Sequence, residues 1–176
     1  MQERTRKIRS DKKKEIRPYL ASVHRMWIHR IARYLQSPEG EVGVSLVETA
    51  LGHASCLEHF QDYYKRPYQY GNLTLFPKPN RKEIESYLVV KGERDRYKMK
   101  FTQPTVMKIE DFQLALGTSF LAHATHALLK YALYEDDIIE RVAPGFNATE
   151  MRVPPLLKAK VKSFSTDKSN PWNIVK

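Results

Sequence analysis

Residues 96–133 read RYKMKFTQPTVMKIEDFQLALGTSFLAHATHALLKYAL, and the hydrophobic period changes within them. Tyr97, Met99 and Phe101 alternate with Arg96, Lys98, Lys100 and Thr102. A period of two marks a half-buried strand, here one whose opposite face is basic. After Pro104 the period becomes helical, with Val106, Ile109, Phe112 and Leu116 on one face. Gly117-Thr118-Ser119 interrupts it, and a second helical run follows through Leu121, Ala124, Leu128 and Tyr131. The expected unit is therefore strand, helix, helix, with Ser119 capping the second helix.

Upstream, Pro18 suits the first turn of a helix. Leu20, Val23, Trp27, Ile31 and Tyr34/Leu35 recur at helical spacing, while His24, Arg25, His29, Arg30 and Arg33 lie mainly off that stripe. This predicts an amphipathic helix over residues 18–36, ended by the turn Ser37-Pro38-Glu39-Gly40. Ser45 and Glu48 stand at capping-box spacing and predict a second helix running to about Tyr64. Gly52 inside it costs about 1 kcal/mol of helix propensity relative to Ala. The short connection predicts an antiparallel helical hairpin. Residues 73–76 read as a short strand. Residues 81–90 read as a short helix ending at Gly92, although Tyr87-Leu88-Val89-Val90 also has strand character. The acidic cluster Glu135-Asp136-Asp137 closes the last long helical run, and Pro144-Gly145 marks a break. The expected fold class is α+β and mainly helical, with an N-terminal helical hairpin followed by the strand–helix–helix unit. The expected segments are a basic arm (1–17), a helical accessory module (18–92), the strand–helix–helix unit (93–143) and an extended basic tail (144–176).

Charge is concentrated at the ends. The net charge is +10, but residues 1–36 carry eleven Lys/Arg against three acids and residues 150–176 carry six against two. The interior is slightly acidic. A near-neutral body with basic ends suits a polyanionic partner, nucleic acid above all. Arg4, Arg6, Lys7, Arg9, Lys12, Lys13 and Lys14 are the expected non-specific phosphate contacts. One cysteine, Cys56, excludes a disulfide framework within the chain. No apolar run approaches the length of a membrane span, and no apolar core follows the charged N-terminus as in a secretory signal. The expected compartment is cytoplasmic.

The strand–helix–helix residues resemble the ribbon-helix-helix DNA-binding family (MetJ/Arc type). The carriers are the alternating strand 96–102, Pro104 at the start of the first helix, the Ile109/Phe112 spacing, Gly117-Thr118-Ser119 at the turn, and Ala127-Leu128 with Tyr131 in the second helix. The resemblance covers about forty residues. It implies a homodimer in which two chains pair their strands into an antiparallel ribbon that enters the major groove. It also implies a role as a transcriptional or plasmid-type regulator. The second helix departs from the family, carrying His123, Ala124 and His126 where an Arg or Lys is usual. Roughly 95 residues also precede a unit that usually lies near a terminus. The same segment is similar to a paralogue-rich spirochaetal family of uncharacterised function, which supplies no activity.

On this reading Arg96, Lys98, Lys100 and Thr102 face DNA. Lys can donate to guanine O6/N7, and Thr can touch a thymine methyl. Thr118 and Ser119 at the start of the second helix suit a phosphate. No cofactor, metal or enzymatic activity is expected. An RNA- or ribosome-associated basic protein is the alternative, using the arms and the aromatic–cationic run Tyr63-Tyr64-Lys65-Arg66-Pro67-Tyr68-Gln69-Tyr70. A second alternative is an enzyme with a cryptic metal site at His53, Cys56, His59, His123 and His126. His123 and His126, at i and i+3, are close enough to bind one metal, whereas the three-residue steps of His53, Cys56 and His59 drift around the helix and do not stack on one face.

Overall fold

The computed structural model describes residues 12–90 and 92–153. The fold is α+β and mainly helical, with eight helices and three two-stranded antiparallel sheets among the described residues. In chain order these are β1 (Lys14–Ile16), β2 (Tyr19–Ala21), α1 (Ser22–Leu35), α2 (Glu39–Leu51), α3 (Ala54–Phe60), β3 (Tyr68–Tyr70), β4 (Leu73–Leu75), α4 (Ile84–Leu88), β5 (Arg94–Arg96), β6 (Met99–Phe101), α5 (Gln103–Leu116), α6 (Leu121–Tyr134), α7 (Asp136–Val142) and α8 (Ala148–Arg152). One compact unit runs through Phe146, and a second begins at Asn147. In the second unit Asn147 caps α8, its side chain accepting from the Glu150 N–H at 3.0 Å.

Helix α6 is the axis of the first unit. Its sequence offers little to water, and Ala124, Thr125, His126, Ala127, Leu128, Leu129, Ala132 and Leu133 are all buried. A helix apolar around most of its circumference needs neighbours on several sides. Helices α1, α2, α5 and α7 supply them. Helix α5 ends where Gly117 takes the left-handed conformation (φ 67°), which glycine reaches without steric penalty.

The strand reading of 96–102 holds in its pattern and changes in its partner. Tyr97, Met99 and Phe101 are buried, whereas Arg96, Lys98, Lys100 and Thr102 are exposed. The segment is divided between β5 and β6. β6 pairs with β1 and β5 with β2, both antiparallel. The register is Lys14↔Phe101, Ile16↔Met99, Tyr19↔Arg96 and Ala21↔Arg94, a single unbroken offset. Between the two ladders Tyr97 N–H donates to Pro18 C=O (2.9 Å), and beyond them Ser22 N–H donates to Glu93 C=O (3.2 Å). Residues 14–22 and 93–101 thus form one continuous ribbon. Its ladder is interrupted at Pro18, which has no N–H to give. The strand's partner is this same chain, in place of the second protomer expected.

Other boundaries move as well. The expected helix over 18–36 begins at Ser22, because residues 19–21 are drawn into the ribbon. His24 belongs to its buried stripe with Trp27, Ile28, Ile31 and Ala32, while Val23 is 42% exposed. The expected capping box is not one: α2 starts at Glu39 behind Pro38, so Ser45 and Glu48 lie mid-helix. Glu48 instead accepts from the Thr105 hydroxyl at 2.7 Å, tying α2 to α5. The expected helix to Tyr64 breaks at Gly52-His53 into α2 and α3. The short strand at 73–76 is β4, joined to β3 across Gly71 (φ 57°) and Asn72. The short helix at 81–90 contracts to α4. Residues 14–17, expected as arm, hold strand β1. In the expected tail, residues 148–152 are α8, and residues from 154 lie outside those described. Because the ribbon joins 14–22 to 93–101, the expected boundaries at 17/18 and 92/93 fall inside one unit.

Candidate nucleic-acid interface

Directly opposed residues of an antiparallel pair project to the same side. On one side of the ribbon Ile16, Pro18, Leu20, Tyr97, Met99 and Phe101 are buried. The other side carries Glu15 opposite Lys100, Tyr19 opposite Arg96, and Ala21 opposite Arg94. Arg17 and Lys98 fall between these pairs at the same register offset. Lys13 lines one groove together with Lys98 and Lys100. Five exposed cations (Arg17, Arg94, Arg96, Lys98 and Lys100) therefore share the outer face with one carboxylate, that of Glu15, while the groove that Lys13 lines also holds the exposed Glu41. Along each strand they recur about every 7 Å.

Glu15 is the internal counter-ion. It accepts from Arg17 Nε at 2.5 Å and pairs with Lys98 Nζ at 2.9 Å. These hydrogen bonds, that from Lys98 first, hold its carboxyl below the usual glutamate range. Both cations are more than half exposed. Ion pairs at such exposure contribute little and yield to a competing phosphate. Further along, Arg96 Nε donates to the Tyr19 hydroxyl at 2.8 Å, and Arg94 and Arg96 lie 5.3 and 5.2 Å from the Tyr19 ring centre. Tyr19 thus spaces two guanidinium groups that pair with no carboxylate among the described residues.

The expected contacts are distributed unevenly over this surface. Arg96, Lys98, Lys100 and Thr102 lie on its outer face. The Thr102 hydroxyl also bonds Thr105 at 3.0 Å. Thr118 is buried, and its hydroxyl donates to Phe120 C=O at 3.1 Å, so it does not face a ligand. Ser119 is exposed, but it is not the cap: Phe120 is the N-cap of α6 and offers no side-chain bond. Of the expected phosphate contacts, Lys12 and Lys13 are exposed, Lys14 pairs with Glu110 at 3.0 Å, and Arg4, Arg6, Lys7 and Arg9 lie outside the described residues. The sequence reading missed Arg17, Tyr19 and Arg94. For Arg17 and Tyr19 the signal was the short alternation Ile16/Pro18/Leu20 against Glu15/Arg17/Tyr19, which lay across the junction between expected arm and helix; for Arg94 it was the two-residue step from Arg96.

The alternative sites pack differently. Tyr63, Tyr64 and Tyr68 are buried, the last two against Phe112, and Lys65 pairs with Glu83 at 2.9 Å. That run covers core and leaves few aromatic faces for bases. His53 Nδ1 bonds the Ser55 hydroxyl at 2.7 Å, and His59 sits among Phe60, Tyr63, Tyr87 and Tyr131. Cys56 is fully buried. No group of three or more His, Cys, Asp or Glu that could hold a metal occurs among the described residues. No helix among them is long and apolar enough to cross a membrane. No family model, curated protein or solved structure matches the chain.

Proposed function

We propose that this protein binds nucleic acid, DNA in preference, through the outer face of the 14–22/93–101 ribbon. The observation that carries this reading is the collection of five exposed cations against one carboxylate on one side of a two-stranded ribbon. A ribbon of this width fits the major groove of B-DNA. Lys98, Lys100, Arg94 and Arg96 are the side chains placed to meet base edges and phosphates there. Lys12, Lys13 and Arg17 extend the contact along the backbone. The natural role is regulation at a DNA site, as the ribbon-helix-helix resemblance implies. In this version both strands come from one protomer. A homodimer would then bring two ribbons to two half-sites rather than complete one.

The test is a binding assay across a salt series on duplex DNA and on single-stranded RNA. Each phosphate neutralised adds about −0.9 to the slope of log K against log salt. Lys98→Ala with Lys100→Ala weakens duplex binding and flattens that slope by about 2. Lys108→Ala with Arg33→Ala, both exposed and off the ribbon, leaves it unchanged. An unaltered slope in the ribbon variant rejects the proposal, and stronger binding to the RNA reassigns it.

A further inference from the structure

Beside the ribbon lies a cavity of about 470 Å³. Its lining is of two kinds. Arg17, Arg94 and Arg96 supply cationic lining, while Phe120, Leu88 and Val90 supply apolar lining. Phe120 is 62% exposed, a large ring left open to solvent beside an arginine cluster.

Two further observations point to a ligand. His126 lines the cavity, and a neighbouring one with His24 and Lys130, and is only 5% exposed; its Nε2 is closed to solvent and has no hydrogen-bond partner among the described residues. Buried polar atoms are satisfied as a rule, so an orphan at a cavity wall is a position for an incoming group. Helix α6, fourteen residues long, begins at this same cavity, where Phe120 and His123 line it. Its N-cap makes no side-chain bond, so N–H groups of the first turn have no side-chain acceptor and favour an anion. Cationic lining, open helix start and orphan imidazole converge on one space of small-molecule size.

We propose that this cavity binds a free nucleoside monophosphate, with its phosphate held by Arg94, Arg96 and the start of α6 and its base lying against Phe120, where a turn of the His126 ring brings Nε2 to it. Guanidinium forks match phosphate oxygens bidentately, and a planar base suits an aromatic face. Neither part suffices alone. Inorganic phosphate meets the cations and leaves the apolar lining and His126 unused; a nucleoside does the reverse. The ligand is a small molecule taken without duplex DNA, so the proposal goes beyond the ribbon's function while sharing Arg94 and Arg96 with it.

The test is calorimetric titration of the full chain, without DNA, with each ribonucleoside monophosphate, inorganic phosphate, the matching nucleosides and a short 5′-phosphorylated single strand. One-to-one saturable binding of at least one monophosphate is expected, tighter than that of inorganic phosphate or its nucleoside. Arg94→Ala with Arg96→Ala weakens it about tenfold or more. His126→Phe weakens it as well. Should that buried variant fail to fold, the exposed arginine pair carries the test unaided. Lys98→Ala with Lys100→Ala, which disables the ribbon's groove contacts, leaves nucleotide binding intact, so failure of the DNA reading and failure of this one are distinguishable. The proposal is overturned if no monophosphate saturates the site, if the arginine variant binds as the wild type does, if inorganic phosphate binds equally well, or if the single strand alone binds.

Discussion

His24 and His126 are both 5% exposed, and Lys130 lies near both. Burial, reinforced by nearby positive charge, lowers each to about 4. For His24 the added charge is Lys130; for His126 it is His24, Lys130 and His123. An unfolded histidine titrates near 6.5. Between about 6.5 and 4 the unfolded chain therefore binds more protons than the folded one, and stability falls as pH falls through that window. The Tm at pH 5 is expected to lie well below that at pH 7.5, and His24→Phe with His126→Leu narrows the gap. A gap as wide in the double variant as in the wild type rejects this account. Cys56 gives a second expectation at this scale. Burial first, then the charge of Glu135, raises its thiol far above the ordinary range, and thiolate is the reactive form. Native protein should resist alkylation by iodoacetamide and react once denatured; rapid native labelling counts against a closed core there. The burial of Cys56 is legible in the sequence, where Ala50, Leu51, Ala54, Leu57 and Phe60 form an apolar helical stripe beside it. The burial of His24 is not, because a polar residue is read outward until its neighbours are known.

At the scale of elements, the ribbon is fixed to α2 by a close approach at Gly43. A Cβ there would stand 2.7 Å from Tyr97 Cε1 and 2.9 Å from Met99 Sδ. Tyr97, whose hydroxyl donates to Glu39 C=O, closes the same contact. Both neighbours belong to the buried side of the strand, so neither can swing into solvent. Gly43→Ala is expected to cost about 1–3 kcal/mol, as overpacking does. The helix-propensity gain of up to about 1 kcal/mol offsets part of that. A lowered urea midpoint with an unchanged m-value checks this, and a raised midpoint would show that propensity outweighs the clash. The same contact shows where sequence reading reaches its limit. The alternation of 96–102 revealed which side chains turn inward, since pleat geometry alone dictates it. It could not reveal the pairing partner, which lies some eighty residues away. Residues 16–20 carry three inward positions amid charges, and Pro18 imitates a helix start. The capping spacing of Ser45 and Glu48 misled for a related reason: Thr105, from α5, takes the Glu48 carboxylate. The strand–helix–helix order and the α5 and α6 stripes were readable because each spans fourteen residues of consistent period.

In the first unit residues 14–22 pair with 93–101, so the ribbon joins two segments that helices α1 to α4 separate in sequence. The N-terminal charge was expected to serve as a basic arm over residues 1–17 that adds non-specific phosphate contacts. The ribbon divides that segment in two. Removing residues 2–11 leaves every described ribbon contact in place and is expected to leave the Tm unchanged. Removing residues 2–17 takes away β1. It removes Ile16, 5% exposed, and strips the paired strand from Met99 and Phe101, which are 1% and 0% exposed. Burial of one Ile side chain is worth about 1.5–3 kcal/mol. Each ladder hydrogen bond adds about 0.5–1.5 kcal/mol net. Newly wetted Met99 and Phe101 surface deepens the loss. Several kcal/mol from a domain whose total stability is of order 5–15 kcal/mol brings it near the unfolding threshold. The longer truncation should therefore melt far lower or expose apolar surface to a dye such as ANS. Its loss of DNA binding would then report lost structure, whereas in the shorter truncation weakened binding with an intact Tm would report lost charge. Equal melting of the two truncations would mean that β1 adds no stability and that the ribbon is held from the helix side alone.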